Sequence, residues 1–193
     1  DALPIYLDFL GHLRACGVLG YTSCCRGRVG AFCVSKKPKI IDGKMKLRQR
    51  LILDCRQVNL QFRPPPHTEL GSLAALTEIV LEPGQKMFVS GADIQDCFYA
   101  ARISQQLSEF FCLLSDLEPS EAQVVFGDKF VGVEPGHRIS PCITVLPMGF
   151  SWSFYLIQKL HEQSALRSLG IDRQGLILDG YPVPRLSDGG AVA

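Results

Sequence analysis

The sequence predicts an α+β protein in which helices pack on antiparallel strands. Apolar residues recur at helical spacing before Gly17, which predicts a helix over residues 3–16. Apolar runs at 29–34 and 51–54 flank a lysine-rich stretch and predict a β-hairpin. A helical apolar face predicts a second long helix over 151–169. Helices and a hairpin in one chain of 193 residues give the mixed class.

The hairpin is expected to turn at Asp42-Gly43, a pair that favours tight turns. Three consecutive prolines at 64–66 are expected to end a first region. The chain is therefore divided into residues 1–66 and 67–193. Further elements are predicted as a helix over 70–81, strands over 87–94, 110–114 and 124–133, and a turn at Gly127-Asp128.

The charge is distributed unevenly along the chain. Residues 1–66 carry 12 Lys and Arg against 4 Asp and Glu, whereas residues 67–193 carry 8 against 15. This asymmetry indicates either a polyanion-binding surface beside a cation-binding one or two solvated faces of opposite sign. The apolar runs are short and broken by charge, so no membrane span and no membrane partner are expected.

The eight cysteines form no CxxC pair, so they are expected to be buried reduced thiols rather than zinc ligands. Reduced thiols and the lack of a signal-peptide pattern lead us to expect an intracellular protein, in the cytoplasm or the nucleus.

Three segments carry residue types suited to nucleotide chemistry. Arg50 opposite a lysine-rich hairpin tip suits a triphosphate clamp, or is part of a solvated basic hairpin. Asp93 ends an apolar run, where a carboxylate suits magnesium binding; Asp93 and Asp96 equally fit a strand-end cap and a surface charge. Gly149 permits close backbone approach before a helix, although serine capping also explains that stretch.

The order and spacing of these segments resemble reverse transcriptases of retrotransposons and retroviruses, over residues 29–170. The matching stretches are R-L-I-L-D-x-R-x-V-N at 50–59, D-I-x-D-C-F-Y at 93–99 and L-P-M-G-F-S-W-S at 146–153. The resemblance implies a right-hand polymerase fold, with fingers in 1–66 and a partial palm in 67–193. It implies an RNA-directed DNA polymerase that uses an RNA or DNA template-primer, deoxynucleoside triphosphates and two Mg²⁺ ions.

The resemblance also implies roles for individual residues. Asp93 matches the first catalytic aspartate and metal ligand, and the backbone carbonyl of Ile94 matches a second metal contact. Phe98 matches an aromatic ring that excludes the ribose 2′-hydroxyl. The remaining nucleotide-binding matches are Lys36 or Lys37, Arg50, Met148, Gly149 and Phe150. Met148 stands where many members of the family carry Gln, and Asp54 and Arg56 are expected to anchor the strand.

The second metal-binding element of the family, Tyr-x-Asp-Asp or a close variant, does not occur in the printed sequence. Asp179-Gly180 and Asp188-Gly189 resemble turns, and Gly190 to Ala193 resembles the start of the missing strand. The chain is expected to stop short of that motif, with no second aspartate pair.

Three hypotheses about function follow. The chain is a piece of an RNA-directed DNA polymerase, a catalytically dead remnant of a mobile element, or a nucleic-acid-binding module without polymerase activity. The type of element, the template preference and the oligomeric state stay open.

With one carboxylate of the expected set, the isolated chain is expected to show no polymerase activity. A magnesium-dependent primer-extension assay on the 193-residue protein tests this expectation. Template-directed synthesis above background would contradict it.

Overall fold

The computed structural model describes residues 2–134 and 136–184. Its helices are α1 (Ala2–Ala15), α2 (Arg56–Asn59), α3 (Leu73–Thr77), α4 (Cys97–Ala100), α5 (Gln105–Ser108), α6 (Pro119–Phe126) and α7 (Ser153–Leu169). Its strands are β1 (Leu19–Thr22), β2 (Gly30–Ile41), β3 (Lys44–Asp54) and β4 (Ser140–Ile143). Two 3₁₀ helices span Gly127–Lys129 and Arg173–Gly175. The class is thus α+β with small antiparallel sheets, as predicted.

The chain packs as two compact units. The first combines Asp1–Pro64 with Asp96–Ser153, and the second combines Pro65–Gln95 with Phe154–Ala193. Both units are discontinuous in sequence, and one boundary between them falls within the prolines at 64–66. The functional division into 1–66 and 67–193 stays a prediction.

Helix α1 forms and ends as the sequence predicts. Gly17 adopts a positive φ of 73°, and the amide of Val18 donates to the carbonyl of Leu13 at 3.1 Å. This is a Schellman ending, for which glycine is favoured because it lacks a Cβ. The buried side of the helix carries Leu10 and Leu13 and packs against α6.

The predicted hairpin is confirmed. Strand β2 pairs with β3 in antiparallel register, from Gly30 opposite Asp54 to Ile41 opposite Lys44. The two turn residues have positive φ values of 52° at Asp42 and 71° at Gly43, which match the twist of the flanking strands.

The centre of the first unit is a narrow β layer. Strand β1 pairs with β4, and Cys112 forms isolated bridges to Arg28 on one side and Cys142 on the other. Because all four residues of β4 are buried, this layer forms the core of the unit. Its largest fully buried side chains include Val29, Phe111, Leu113, Ile139 and Ile143.

The strand predicted at 124–133 is wrong, because residues up to Phe126 form α6. Pro119 occupies the first turn, and the side chain of Glu121 accepts the backbone amide of Glu118 at 2.8 Å in a capping box. This start signal lies just ahead of the apolar run and overrides its strand propensity. The Gly127-Asp128 turn lies in the following 3₁₀ helix.

The strand predicted at 87–94 is also wrong. The segment is irregular, with Phe88 92% and Val89 77% exposed. A strand needs a hydrogen-bonding neighbour, and none of the described residues pairs with this segment. Likewise, residues 110–114 form isolated bridges rather than a strand.

The two remaining helix predictions differ in outcome. The helix predicted at 70–81 covers only Leu73–Thr77. The helix predicted at 151–169 is confirmed as α7, which Gly170 follows with φ of 65°.

In the second unit, side chains near residue 70 bind the segment around residue 175. Glu69 pairs with Arg173 and accepts the hydroxyl of Tyr181 at 2.5 Å. Ser72 caps α3 and hydrogen bonds to Asp179. Asp179 lies in a turn in which Gly180 has φ of 77°, which confirms the turn prediction; Asp188-Gly189 and residues 190–193 lie outside the described residues.

All eight cysteines are free, but the expectation of burial holds only for Cys55, Cys112 and Cys142. Cys97 is half-buried, and Cys16, Cys24, Cys25 and Cys33 are exposed. No helix in the described part of the chain is both long enough and apolar enough to cross a membrane.

Arg28 is the main polar connection within the first unit. It donates to the carbonyl of Leu113 at 2.7 Å and that of Leu114 at 3.1 Å, and it pairs with Asp116 at 2.7 Å. The hydroxyl of Ser140 also donates to Asp116, at 2.6 Å. Burial alone would raise the pKa of Asp116, but these hydrogen bonds outweigh it and lower that pKa.

We expect Arg28→Ala to lower the free energy of unfolding by about 1–3 kcal/mol, because it leaves partly buried acceptors without a donor. Urea unfolding of the purified chain measures the change. Arg138→Ala is the matched control, since Arg138 reaches the same carboxylate at 3.4 Å but is 79% exposed. An equal loss in both variants would contradict the central role of Arg28.

Candidate functional site

Parts of three motif segments meet in the first unit. Strand β3, helix α4 and the loop before α7 surround a small open cleft of about 150 Å³. These elements are far apart in sequence, so the fold brings them together. The cleft is lined by Leu51, Ile52, Leu53, Tyr99, Met148 and Gly149.

Gly149 lies directly against strand β3. A Cβ atom at this position would stand 2.4 Å from the carbonyl oxygen of Leu53 and 3.5 Å from the Sγ atom of Cys55. The first distance is impossible for a real side chain unless the backbone moves. Glycine is therefore required here by close approach, as the sequence predicts.

Asn59 fixes the loop that contains Gly149. Its Nδ2 atom donates to the carbonyl of Gly149 at 3.1 Å, and its Oδ1 atom accepts the amide of Ser151 at 2.9 Å. One amide side chain thus satisfies two backbone groups of the loop, which neither a carboxylate nor an alkyl group does. Sequence reasoning assigned Asn59 no role, although it ends the R-L-I-L-D-x-R-x-V-N stretch.

Tyr99 closes the other side of the cleft and was also missed. Its hydroxyl donates to the carbonyl of Leu51 at 3.4 Å. The carbonyls of Leu51 and Leu53, two residues apart, point to one edge of a strand, so Tyr99 and Gly149 cover that edge together. Burial raises the pKa of Tyr99, as does Asp96, whereas the nearby guanidinium of Arg50 opposes the rise.

The hairpin carries a dense set of cations. Arg50 lies opposite Val34, and Lys36 lies opposite Arg48. Because opposed residues and residues two apart share a face of the sheet, Lys36 and Arg50 lie on the same face. Lys37 lies in the bulge between Lys36 and Lys39. Lys36 is therefore better placed than Lys37 to act together with Arg50.

Among the described residues, no carboxylate forms an ion pair with these cations. Lys36 faces Arg48 and Lys39 faces Lys46, and like charges opposed across strands are destabilising. Seven cations lie between residues 36 and 50, and in the described part of the chain none of them forms an ion pair. They are Lys36, Lys37, Lys39, Lys44, Lys46, Arg48 and Arg50.

The remaining predicted nucleotide contacts differ in exposure. Met148 is 50% exposed and borders the cleft. Phe98 is half-buried in α4. Phe150 is only 4% exposed, and its ring packs on those of Phe62 and Phe111 with centroids 4.9 and 5.0 Å away. The side chain of Phe150 therefore supports the loop from beneath, and its contact with a nucleotide stays a prediction.

Asp93 and Ile94 belong to the second unit. Both lie in irregular chain, and both are exposed. Among the described residues, no group of three or more His, Cys, Asp or Glu side chains could hold a metal ion. Asp93 thus offers one carboxylate, which fits a Mg²⁺ site that is completed by other ligands, since Mg²⁺ is often held by one or two carboxylates plus phosphates.

Asp54 and Arg56 form a bidentate pair at the base of the hairpin, with Nε–Oδ1 and Nη2–Oδ2 distances of 2.9 and 2.7 Å. Arg56 lowers the pKa of Asp54 to about 2 through these hydrogen bonds. The pair joins the end of β3 to the first residue of α2, and the expected anchoring of the strand and its neighbours stays a prediction.

Comparison of the chain with models of protein families and with curated proteins finds no match.

We expect Asn59→Asp to lower the free energy of unfolding by about 1–3 kcal/mol, because the new carboxylate faces the Gly149 carbonyl without a donor. Thermal or urea unfolding measures it. Gln57→Glu makes the same amide-to-acid change on an exposed position of α2 and should have little effect. Equal unfolding curves for the wild type and Asn59→Asp would contradict the role of Asn59 in holding the Gly149 loop.

The Asp54–Arg56 pair predicts an acid-dependent stability. Because the folded pKa of Asp54 is lowered to about 2 from an unfolded value of about 3.9, the stabilisation is fully present above that unfolded value. It is lost as the pH falls towards 2. Asp54→Asn should therefore flatten the stability profile between about pH 4 and 2, measured by urea unfolding. Unchanged acid dependence in this variant would contradict the assignment.

Proposed function

We propose that this chain is the fingers and part of the palm of an RNA-directed DNA polymerase, a reverse transcriptase of retroelement type. The observation that carries the proposal is the convergence of three motif segments. Residues of the 50–59, 93–99 and 146–153 stretches border one cleft, although nearly 100 residues separate the first from the last. Resemblance of motif order alone would not require them to meet.

In this proposal the basic face of the hairpin grips the incoming triphosphate. Arg50 supplies forked donors for phosphate oxygens, and Lys36 adds a second charge on the same face. Lys37 extends the positive field from the bulge. The unneutralised charge on this hairpin supports an anionic ligand, because such opposed cations gain stability when an anion lies between them.

The loop at 148–150 and helix α4 serve the base and the sugar. Met148 and the backbone of Gly149 line the cleft and offer a surface for packing against the nucleotide. Phe98 excludes a ribose 2′-hydroxyl and so favours deoxynucleotides. Phe150 holds the loop from the core side.

Asp93 and the carbonyl of Ile94 would hold Mg²⁺ together with phosphate oxygens and further ligands. The ions, when bound, assist attack by the primer hydroxyl and neutralise charge on the leaving phosphate. The chain itself contributes the first carboxylate and the cations that orient the triphosphate.

A second candidate is an RNA- or DNA-binding module without polymerase chemistry. The like-charged pairs on the hairpin favour it, because a nucleic-acid backbone neutralises such a surface without any need for Asp93. This candidate predicts salt-sensitive binding of RNA that is indifferent to triphosphate and magnesium.

Arg50→Ala is expected to weaken binding of a deoxynucleoside triphosphate by about tenfold or more, since a charge-assisted hydrogen bond contributes about 1.5–3 kcal/mol. Isothermal titration of the 193-residue chain with magnesium and a deoxynucleoside triphosphate measures this. Lys44→Ala is the matched control, because Lys44 carries the same charge beside the turn of the hairpin.

Weaker triphosphate binding in Arg50→Ala, with near-wild-type binding in Lys44→Ala, supports the proposed triphosphate clamp. Equal loss in both variants, together with RNA binding that ignores the triphosphate, would favour the second candidate.

A further inference from the structure

Two thiols lie in the core layer of the first unit, away from the cleft, and a third lies on the surface beside them. Cys112 and Cys142 are both fully buried, and they form an antiparallel bridge pair. The amide of Leu113 donates to Pro141, and the amide of Ile143 donates to Phe111. Bonds flanking the pair in this way make it a non-hydrogen-bonded pair, in which the side chains approach closely.

Cys25 connects this pair to the surface. Its thiol is exposed and donates to the carbonyl of Gly27 at 3.5 Å. The same carbonyl accepts the amide of Cys112 at 3.2 Å. Cys25 and Cys112 are thus joined through one backbone group, and the Cys112 thiol donates at 3.4 Å to the carbonyl of Glu109, which also accepts the amides of Arg26 and Gly27.

The environment of the buried thiols favours their protonated form. Burial raises the pKa of Cys112, and the neighbouring Cys25 thiol raises it further. Burial also raises the pKa of Cys142 to about 12. Neither buried thiol is therefore a ready nucleophile towards solvent, whereas Cys25 is open to it.

We propose that Cys25 is a peroxide-sensitive modification site that Cys112 resolves as a disulfide. Hydrogen peroxide oxidises the Cys25 thiol to a sulfenic acid and is itself reduced to water. The Cys112 sulfur then attacks the Cys25 sulfur, the S–O bond breaks, and the departing hydroxide leaves as water with the Cys112 proton. In sum, two thiols lose two electrons and two protons to one peroxide, and two waters form.

The disulfide would tie residues 25–28 to the segment around residue 112. The two chains are already joined there by backbone bonds, including that from Val29 to the Cys112 carbonyl at 2.8 Å. These bonds hold the two segments side by side. Because burial disfavours the Cys112 thiolate, closure is expected to become faster as the pH rises.

The test treats the 193-residue chain with a small excess of hydrogen peroxide, blocks the remaining thiols and maps peptides by non-reducing mass spectrometry. We expect a Cys25–Cys112 cross-link that dithiothreitol reverses. Cys25→Ser should abolish it. Cys24→Ser, which alters the adjacent exposed thiol, should retain it.

Three results would overturn the proposal. They are a Cys24–Cys25 or Cys112–Cys142 disulfide in place of the expected one, a disulfide from Cys112 to another cysteine in Cys25→Ser, and oxidation of Cys25 to the sulfinic acid while Cys112 stays a thiol. Circular dichroism of both serine variants before treatment establishes that each is folded, which is expected because both positions are exposed.

Discussion

The close approach of Gly149 to strand β3 is the constraint on which the candidate site depends. The carbonyl of Leu53 occupies the space that any side chain at 149 would need. The Asn59 amide then holds the loop in place through two backbone hydrogen bonds. Because these contacts join the hairpin to a loop about 95 residues later in the sequence, they form the cleft. Met148 can border the cleft only because its neighbour has no Cβ.

The charges of the hairpin, in contrast, lower its own stability. Lys36 faces Arg48 and Lys39 faces Lys46, each at a separation where like charges repel. Backbone ladder bonds and the Asp42-Gly43 turn maintain the hairpin against this repulsion. Such an arrangement is explained if an anion completes it, and both proposed functions use that property. They differ in whether the anion is a triphosphate beside the cleft or a nucleic-acid backbone along the hairpin.

Local signals predicted the elements that depend on local chemistry. Gly17 ends α1 and Asp42-Gly43 turns the hairpin because the backbone geometry of each requires residues that tolerate positive φ. The capping box at Glu118 was present in the sequence, but the β-rich composition of the run that follows concealed it. The strand predicted at 87–94 was wrong for a different reason, because an apolar run forms a strand only if a pairing partner is available.

The site was predictable to the extent that its members lie in recognisable stretches. Met148 and Gly149, which line the cleft, were found by motif, whereas Asn59 and Tyr99 were overlooked within the same motifs. Their roles depend on partners such as Gly149 and Leu51, about 90 and 48 positions away, and no spacing rule reveals such partners. Phe150 shows the converse, because this residue was predicted to contact a nucleotide and its ring lies in the core.

Cys112 and Cys142 lie in the same packed core as the residues that support the cleft. Contacts between core side chains therefore connect the two places. Phe111 precedes Cys112, and its fully buried ring packs against that of Phe150, with centroids 5.0 Å apart. The ring of Phe110 packs on that of Phe62, and the Phe62 ring also packs on that of Phe150, with ring centroids 4.9 Å apart in both pairs. A disulfide at Cys112 would restrain the backbone that carries both rings. Because close-packed interiors transmit small displacements, oxidation at Cys25 would act on the same loop that Asn59 and Gly149 position.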